Sequence, residues 1–219
     1  MTTDTKTTTT LIWEWPLRIW HWLLVLCISG SLATGLSGDI GLMDWHLRLG
    51  YCACGLLVFR LLWGFTGGLY SRWRHYLPAP TKIIRHFSGA AQQTPHTAPG
   101  VGLVVVMLAV IALQAVTGLY TTDDIFIEGP LVRGADEQLV STMSTIHHRV
   151  YYLVIGAIAI HLSAHLIYAL KGSRLPLSMF TGRKVVLSDY LPTQSRGWWA
   201  VAIAFLSAAL VFGGFELLA

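Results

Sequence analysis

The stretch that decides the fold is His147-His-Arg-Val-Tyr-Tyr-Leu-Val-Ile-Gly-Ala-Ile-Ala-Ile-His161, followed at once by Leu162-Ser-Ala-His165. Val150 to Ile160 carries no charge, as the hydrocarbon core of a bilayer requires, yet the run is bracketed by histidines. An ionisable group inside a membrane span is by default a functional-site candidate, and neutral imidazole is a good iron ligand. His147 and His161 are fourteen residues apart. That is about 21 Å of helix and only about 40° short of a whole number of turns. The two imidazoles therefore project from nearly one face, at two depths.

Working outward, composition agrees with a membrane chain. Its 219 residues are 54% hydrophobic and only 12% charged, where a soluble domain carries about 25% charged residues. The length is that of one domain with about five spans of roughly 20 residues. The spans read as Ile19–Gly35, Trp45–Phe65, Val101–Tyr120, Ile146–Leu170 and Gly197–Leu218. Trp13, Trp15, Trp20 and Trp22 form an interfacial aromatic cluster at the first, and Trp198 and Trp199 open the last. The expected fold is an all-α membrane protein. A four-helix transmembrane bundle holds two haems over residues 13–185, and a linker and fifth helix follow over 186–219. Residues 1–12 are polar and Thr-rich and are expected to be disordered. They lack the basic n-region and cleavage site of a signal peptide, so the first apolar segment should remain a span. The stretch Thr81–Phe87 has an amphipathic pattern suited to the membrane surface. No internal repeat is evident.

Loop charge sets the orientation. Lys6, Arg18, Arg72, Arg74, Lys82, Arg85, Lys171, Arg174, Arg183, Lys184 and Arg196 fall on one side, and only Arg133 in the links on the other. By the positive-inside rule the N-terminus is cytoplasmic and, with five spans, the C-terminus is periplasmic, in a bacterial inner membrane. The net charge of +4 does not indicate nucleic acid, because the bases are sorted by loop and not pooled in one patch. The basic links can instead lean on anionic lipid headgroups. Cys27, Cys52 and Cys54 lie inside apolar segments, and no Cys-x-x-Cys-His occurs. Neither a disulfide framework nor a covalently attached haem is expected.

These depths sort the histidines into pairs. His46 and His147 open their spans at the outer face; His21 and His161 lie toward the cytoplasmic face. One lone intramembrane histidine is as easily a packing residue, but four at two matched depths make a ligand pattern. Two haem b groups follow, one on His46 with His147 and one on His21 with His161. Bis-histidine ligation fills both axial positions and suits electron transfer over oxygen chemistry. Helical phase favours His147 over His148, which points roughly 140° away from His161. It leaves His161 and His165 open, because eighteen residues from His147 also return to the same face. Arg18, about one turn before His21, and Arg60, fourteen residues after His46, are candidates for the inner haem's propionates. Arg149 could serve the outer haem in the same way.

The motifs carry a resemblance. Trp15-Pro-Leu-Arg-Ile-Trp-His21-Trp, Trp45-His46-Leu-Arg-Leu-Gly50, Phe59-Arg60-Leu-Leu-Trp63-Gly, Gln114-Ala-Val-Thr-Gly118-Leu, Thr122-Asp-Asp-Ile-Phe-Ile-Glu-Gly-Pro130, Ile146-His147-His148, His161-Leu-Ser-Ala and Met179-Phe-Thr-Gly-Arg-Lys184 together resemble the b-type cytochrome subunits of nickel–iron hydrogenases, within the bacterial cytochrome b-561 family. The resemblance implies a di-haem four-helix core that exchanges electrons between membrane quinone and a redox partner. It also implies His161 in preference to His165. An Asn-Pro motif often found before the third helix is replaced here by Pro95-His-Thr-Ala-Pro-Gly100, and the fifth span lies outside the shared core.

The function expected is electron transfer across the membrane between the quinone pool and an outer-face redox protein, either a hydrogenase or a c-type cytochrome, with quinone as a further ligand. The loop bearing Asp123, Asp124 and Glu128 is a candidate docking surface. Two other readings are a superoxide-oxidising, quinone-reducing enzyme, for which Arg133 and Arg149 would be the outer cations, and a non-redox haem or proton transporter. Continuous ligand-bearing spans weigh against the transporter, since broken helices mark such sites.

Overall fold

The structure, a computed structural model, describes residues 6–76, 94–123, 125 and 127–218. The amphipathic stretch expected at Thr81–Phe87, together with His86 and Asp124, lies outside the described residues. Five helices in the described residues are long and apolar enough to cross a membrane. They are α1 (Trp15–Leu36), α2 (Met43–Thr66), α3 (Ala98–Gly118), α4 (Glu137–Leu170) and α5 (Gly197–Leu218). The chain is a multi-pass, mainly helical membrane bundle.

Pro16 and Pro99 stand in the first turns of α1 and α3, where a missing N–H costs nothing. α1 and α2 form one tight hairpin and α3 and α4 a second, with α2 touching α3 between them. α5 packs outside the four, against α1 and α2. Its Ala200 and Ile203 join a core of Leu17, Trp20, Leu24, Cys27, Ala53, Phe59 and Trp63. Phe59 and Trp63 stack at 5.5 Å, and Trp20 Nε1 donates to the Leu56 carbonyl at 2.7 Å, tying α1 to α2.

Two elements depart from the expectations. The N-terminus is ordered: Thr7–Leu11 forms a strand, β1, antiparallel to β2 (Arg183–Leu187), with Thr7 opposite Leu187 and Leu11 opposite Arg183. Threonine is β-branched and favours strands, and β2 supplies the ladder that a lone Thr run lacks. The expected segment boundary at 185 therefore falls inside a strand, and the bundle carries a small sheet. Ile12, Tyr70 and Val186 make a second core under it. Gly182, at φ +77°, turns the chain into β2, where a Cβ would stand 2.6 Å from the Trp13 carbonyl.

The second departure is α4, which begins nine residues before the expected Ile146. Asp136 caps it, its carboxylate accepting from Leu139 N at 2.8 Å, and Glu137 suits the positive N-terminus. Thirty-four residues make a helix of about 51 Å, so α4 overshoots the roughly 30 Å hydrocarbon core.

The bundle thus has two ends. The sheet end carries β1, β2 and the start of α1. The loop end carries the α1–α2 turn and the Thr121–Asp136 loop. Glu14 closes the sheet end. Buried to 1% exposure, its Oε1 accepts from Trp63 Nε1 (2.8 Å), Gly68 N (2.9 Å) and Ser71 Oγ (2.6 Å). The start of α1 is thereby bolted to the end of α2. Lys184 adds a second tie, its ammonium donating to the carbonyls of Thr94 (2.8 Å) and Pro95 (3.0 Å) just before α3. Burial pushes that ammonium down from the usual 10.5 to about 8.

Candidate functional site

At the loop end, His46 of α2 and His147 of α4 face each other across the bundle. Their ring centroids are 6.2 Å apart and their planes cross at 86°. Two imidazoles bonded at about 2 Å to one metal ion would show a centroid spacing of this size. Each ring is held by the neighbouring helix of its hairpin. His46 Nδ1 donates to the Ser31 carbonyl at 2.9 Å, and His147 Nδ1 to the Gln114 carbonyl at 3.0 Å. A proton committed at Nδ1 leaves the lone pair on Nε2, the form a metal binds; at His147 that nitrogen lies 3.3 Å from the Gln114 amide nitrogen. Around the pair is a cavity of about 510 Å³, lined by all four helices of the two hairpins. Ile28, Leu32, Ile111 and Val154 make its walls apolar. Gln114 Oε1 is buried beside His147 without a hydrogen-bond partner. An apolar slot with two facing imidazoles fits a haem.

His148 also borders this cavity, but its Nδ1 is spent on the Ser144 carbonyl of its own helix at 2.7 Å, and the residue is exposed. The loop beyond is folded by its own acids. Asp123 Oδ1 accepts from Ile125 N (3.0 Å) and Ile127 N (2.8 Å), and Glu128 pairs with Arg133 at 3.3 Å.

Toward the sheet end lie His21 of α1 and, on α4, His161 and His165. The latter two rings touch, with centroids 4.5 Å apart. His161 and His165 stand one turn apart on α4, so the sheet-end level holds three histidines where the pattern needs two. His21 Nδ1 and His165 Nδ1 are buried without hydrogen-bond partners. Arg60 is 2% exposed, with its guanidinium over the Trp73 ring at 4.2 Å and near Trp20 at 5.9 Å. A buried cation and orphaned imidazole nitrogens suit an anionic, iron-bearing group. Arg18 donates to the Phe180 carbonyl, which turns it toward the short helix Ser178–Thr181. His96 is a sheet-end residue, its ring nitrogen 2.8 Å from the Tyr70 carbonyl and its ring against Trp13.

Sequence reasoning passed over four side-chain and backbone partners of the loop-end pair: Ser31, Thr34, Gly35 and Thr117. The signal for Thr34, Gly35 and Thr117 is the tripeptide Thr-Gly-Leu, which occurs twice, at 34–36 and 117–119.

A polytopic helical bundle with histidines gathered at two levels inside it defines a class, that of membrane-embedded electron-transfer cytochromes. Within that class, the chain belongs to the prokaryotic cytochrome b561 family, whose model matches residues 12–182. Membership implies haem b. Among curated proteins it is similar to the probable Ni/Fe-hydrogenase 1 B-type cytochrome subunits of Escherichia coli strain K12 and Escherichia coli O157:H7. It is 34% identical to each over 77 residues, covering 28% of this chain and 33% of the relative. The chain thus matches about a third of the length of those relatives. No solved structure matches it.

Proposed function

We propose that the chain carries electrons through a bacterial inner membrane on two b haems, one held by His46 and His147 and the other by His21 and His161. The observation that carries this reading is the facing His46–His147 pair, each ring oriented by an Nδ1 hydrogen bond to a backbone carbonyl of the neighbouring helix. Bound haem would supply one-electron redox chemistry at its iron, with His46 and His147 as the residues that would hold one group and His21 and His161 the other.

The protein's part is placement and electrostatics. The two hairpins hold the imidazoles at two depths, and the apolar walls keep water away. Arg60, with Arg18 at the edge of the site, offers positive charge to the propionates of the sheet-end haem. The sheet end is the cytoplasmic side, by the eleven-to-one sorting of Lys and Arg. Its basic links also sit against anionic lipid. Electrons pass between the membrane quinone pool and a redox protein at the loop end. The named relatives favour a hydrogenase in that place, with a c-type cytochrome as the other partner class.

A pyridine haemochrome assay on purified protein tests the reading, with two haems per chain as the expected result. A haem-free protein with intact helices would overturn it.

A further inference from the structure

The two hairpins seat their loop-end histidines by matching contacts, to which α3 adds the Gln114 amide nitrogen, 3.2 Å from His147 Nδ1 and 3.3 Å from its Nε2. On α1, the Ser31 carbonyl accepts from His46 Nδ1 at 2.9 Å, and Thr34 Oγ1 lies 3.4 Å from the same nitrogen. A Cβ on Gly35 would stand 2.8 Å from His46 Cε1. On α3, the Gln114 carbonyl accepts from His147 Nδ1 at 3.0 Å, and Thr117 Oγ1 lies 3.4 Å from that nitrogen. A Cβ on Gly118 would stand 2.8 Å from His147 Cε1. Each threonine hydroxyl donates one turn back, to the Gly30 carbonyl at 2.7 Å or the Leu113 carbonyl at 2.8 Å. Its proton is therefore committed, and a lone pair is available to the imidazole N–H.

The sequences keep the same order. Thr34-Gly-Leu36 precedes His46-Leu-Arg-Leu-Gly-Tyr51, and Thr117-Gly-Leu119 precedes His147-His-Arg-Val-Tyr-Tyr152. Nine residues beyond each histidine stands a glycine, Gly55 and Gly156. At fourteen residues the likeness ends, with Arg60 in one hairpin and His161 in the other.

We infer that the loop-end site is built from two copies of one positioning device, in which Thr34 and Gly35 orient His46 while Thr117 and Gly118 orient His147 for a single haem. The inference rests on the di-haem reading above. The physical roles divide between the two residues. The glycine lets the ring edge lie against the backbone of the next helix, at a distance no β-carbon allows. The threonine oxygen joins the carbonyl as a second acceptor for the Nδ1 proton. That fixes the tautomer and makes the imidazole a stronger donor, which favours ferric iron. These are positioning residues, since none of them reaches the iron.

The test compares matched substitutions in the full chain, by haem count, low-spin EPR and potentiometric titration. G35A and G118A should each lose the same one of the two haem signals and retain the other. T34V and T117V should keep two haems and raise the same midpoint, by up to about tenfold in the oxidised-to-reduced ratio, equivalent to about 59 mV for one electron. T34S and T117S should return that midpoint to the wild-type value. Loss of both haems in a glycine variant reports misfolding, and the threonine series then decides. The inference is overturned if the α1 and α3 variants act on different haems, or if neither valine variant moves a midpoint. In that case a wild type with two haems leaves the parent reading standing. A wild type with no haem brings down both.

Discussion

The two ends of the bundle handle their histidines in opposite ways. At the loop end, each imidazole has a carbonyl partner on its own hairpin, and the two rings stand apart with a cavity around them. At the sheet end, His161 and His165 touch, His21 Nδ1 and His165 Nδ1 have no hydrogen-bond partner, and Arg60 is buried against Trp20 and Trp73. The loop-end pair is preorganised by helix packing. The sheet-end group has donors in excess and leaves buried polar atoms unsatisfied, which costs about 1–3 kcal/mol each. Its order depends more on what it binds.

The largest expected effect separates the ends outright. H46A and H147A should each remove one haem signal, and H21A the other, as read by low-spin EPR on purified protein. At the sheet end, H161A should behave like H21A while H165A keeps both haems. Loss of haem in H165A alone would transfer the ligand role to that residue. Next comes stability. E14A strands three buried donors and should cost roughly 3 kcal/mol or more, seen as earlier thermal unfolding in detergent, with E14Q milder because it keeps an acceptor. A smaller effect should come from R60M. Removing a buried cation favours the oxidised iron, so the sheet-end midpoint should fall, by about 59 mV for a tenfold change, while the loop-end midpoint holds. A shift at the loop end instead would break the division between the ends.

The smallest effect is a pH dependence. Lys184 is pushed down to about 8 in the fold and returns to the usual 10.5 when unfolded. Between those values the unfolded chain binds the extra proton, so stability should rise with pH across that window. Thermal melts from pH 8 to 10 check the sign, and K184M should flatten the slope.

Much of this was legible in the sequence. The five spans follow from apolar runs of the right length, and the projection of His147 and His161 from one face follows from their spacing. Phase also favours His147 over His148, whose Nδ1 meets the Ser144 carbonyl of its own helix. Three things were not legible. The Thr7–Leu11 strand depends on a partner 172 to 180 residues away, so its local composition reads as disorder. The first turns of α4 are polar and carry no apolar signal, though Asp136 followed by Glu137 is a start signal in retrospect. The repeated histidine cradle was hidden by connection length. Thr34 and His46 are twelve residues apart, Thr117 and His147 thirty, so no fixed period relates the copies. His161 and His165 could not be separated by phase, and the fold places both at the sheet-end level, one turn apart.

The pairing of β1 with β2 has a consequence for the order of events during synthesis. The strand made early must wait for a partner that follows four membrane segments. At 5–20 residues per second, that delay is roughly ten seconds or more. The clasp can close only on a chain whose fourth helix has already been threaded with its C-terminal end on the same side as the N-terminus. It therefore works as a checkpoint on topology: a molecule with one helix skipped or inverted would leave both strands unpaired, on opposite sides of the bilayer.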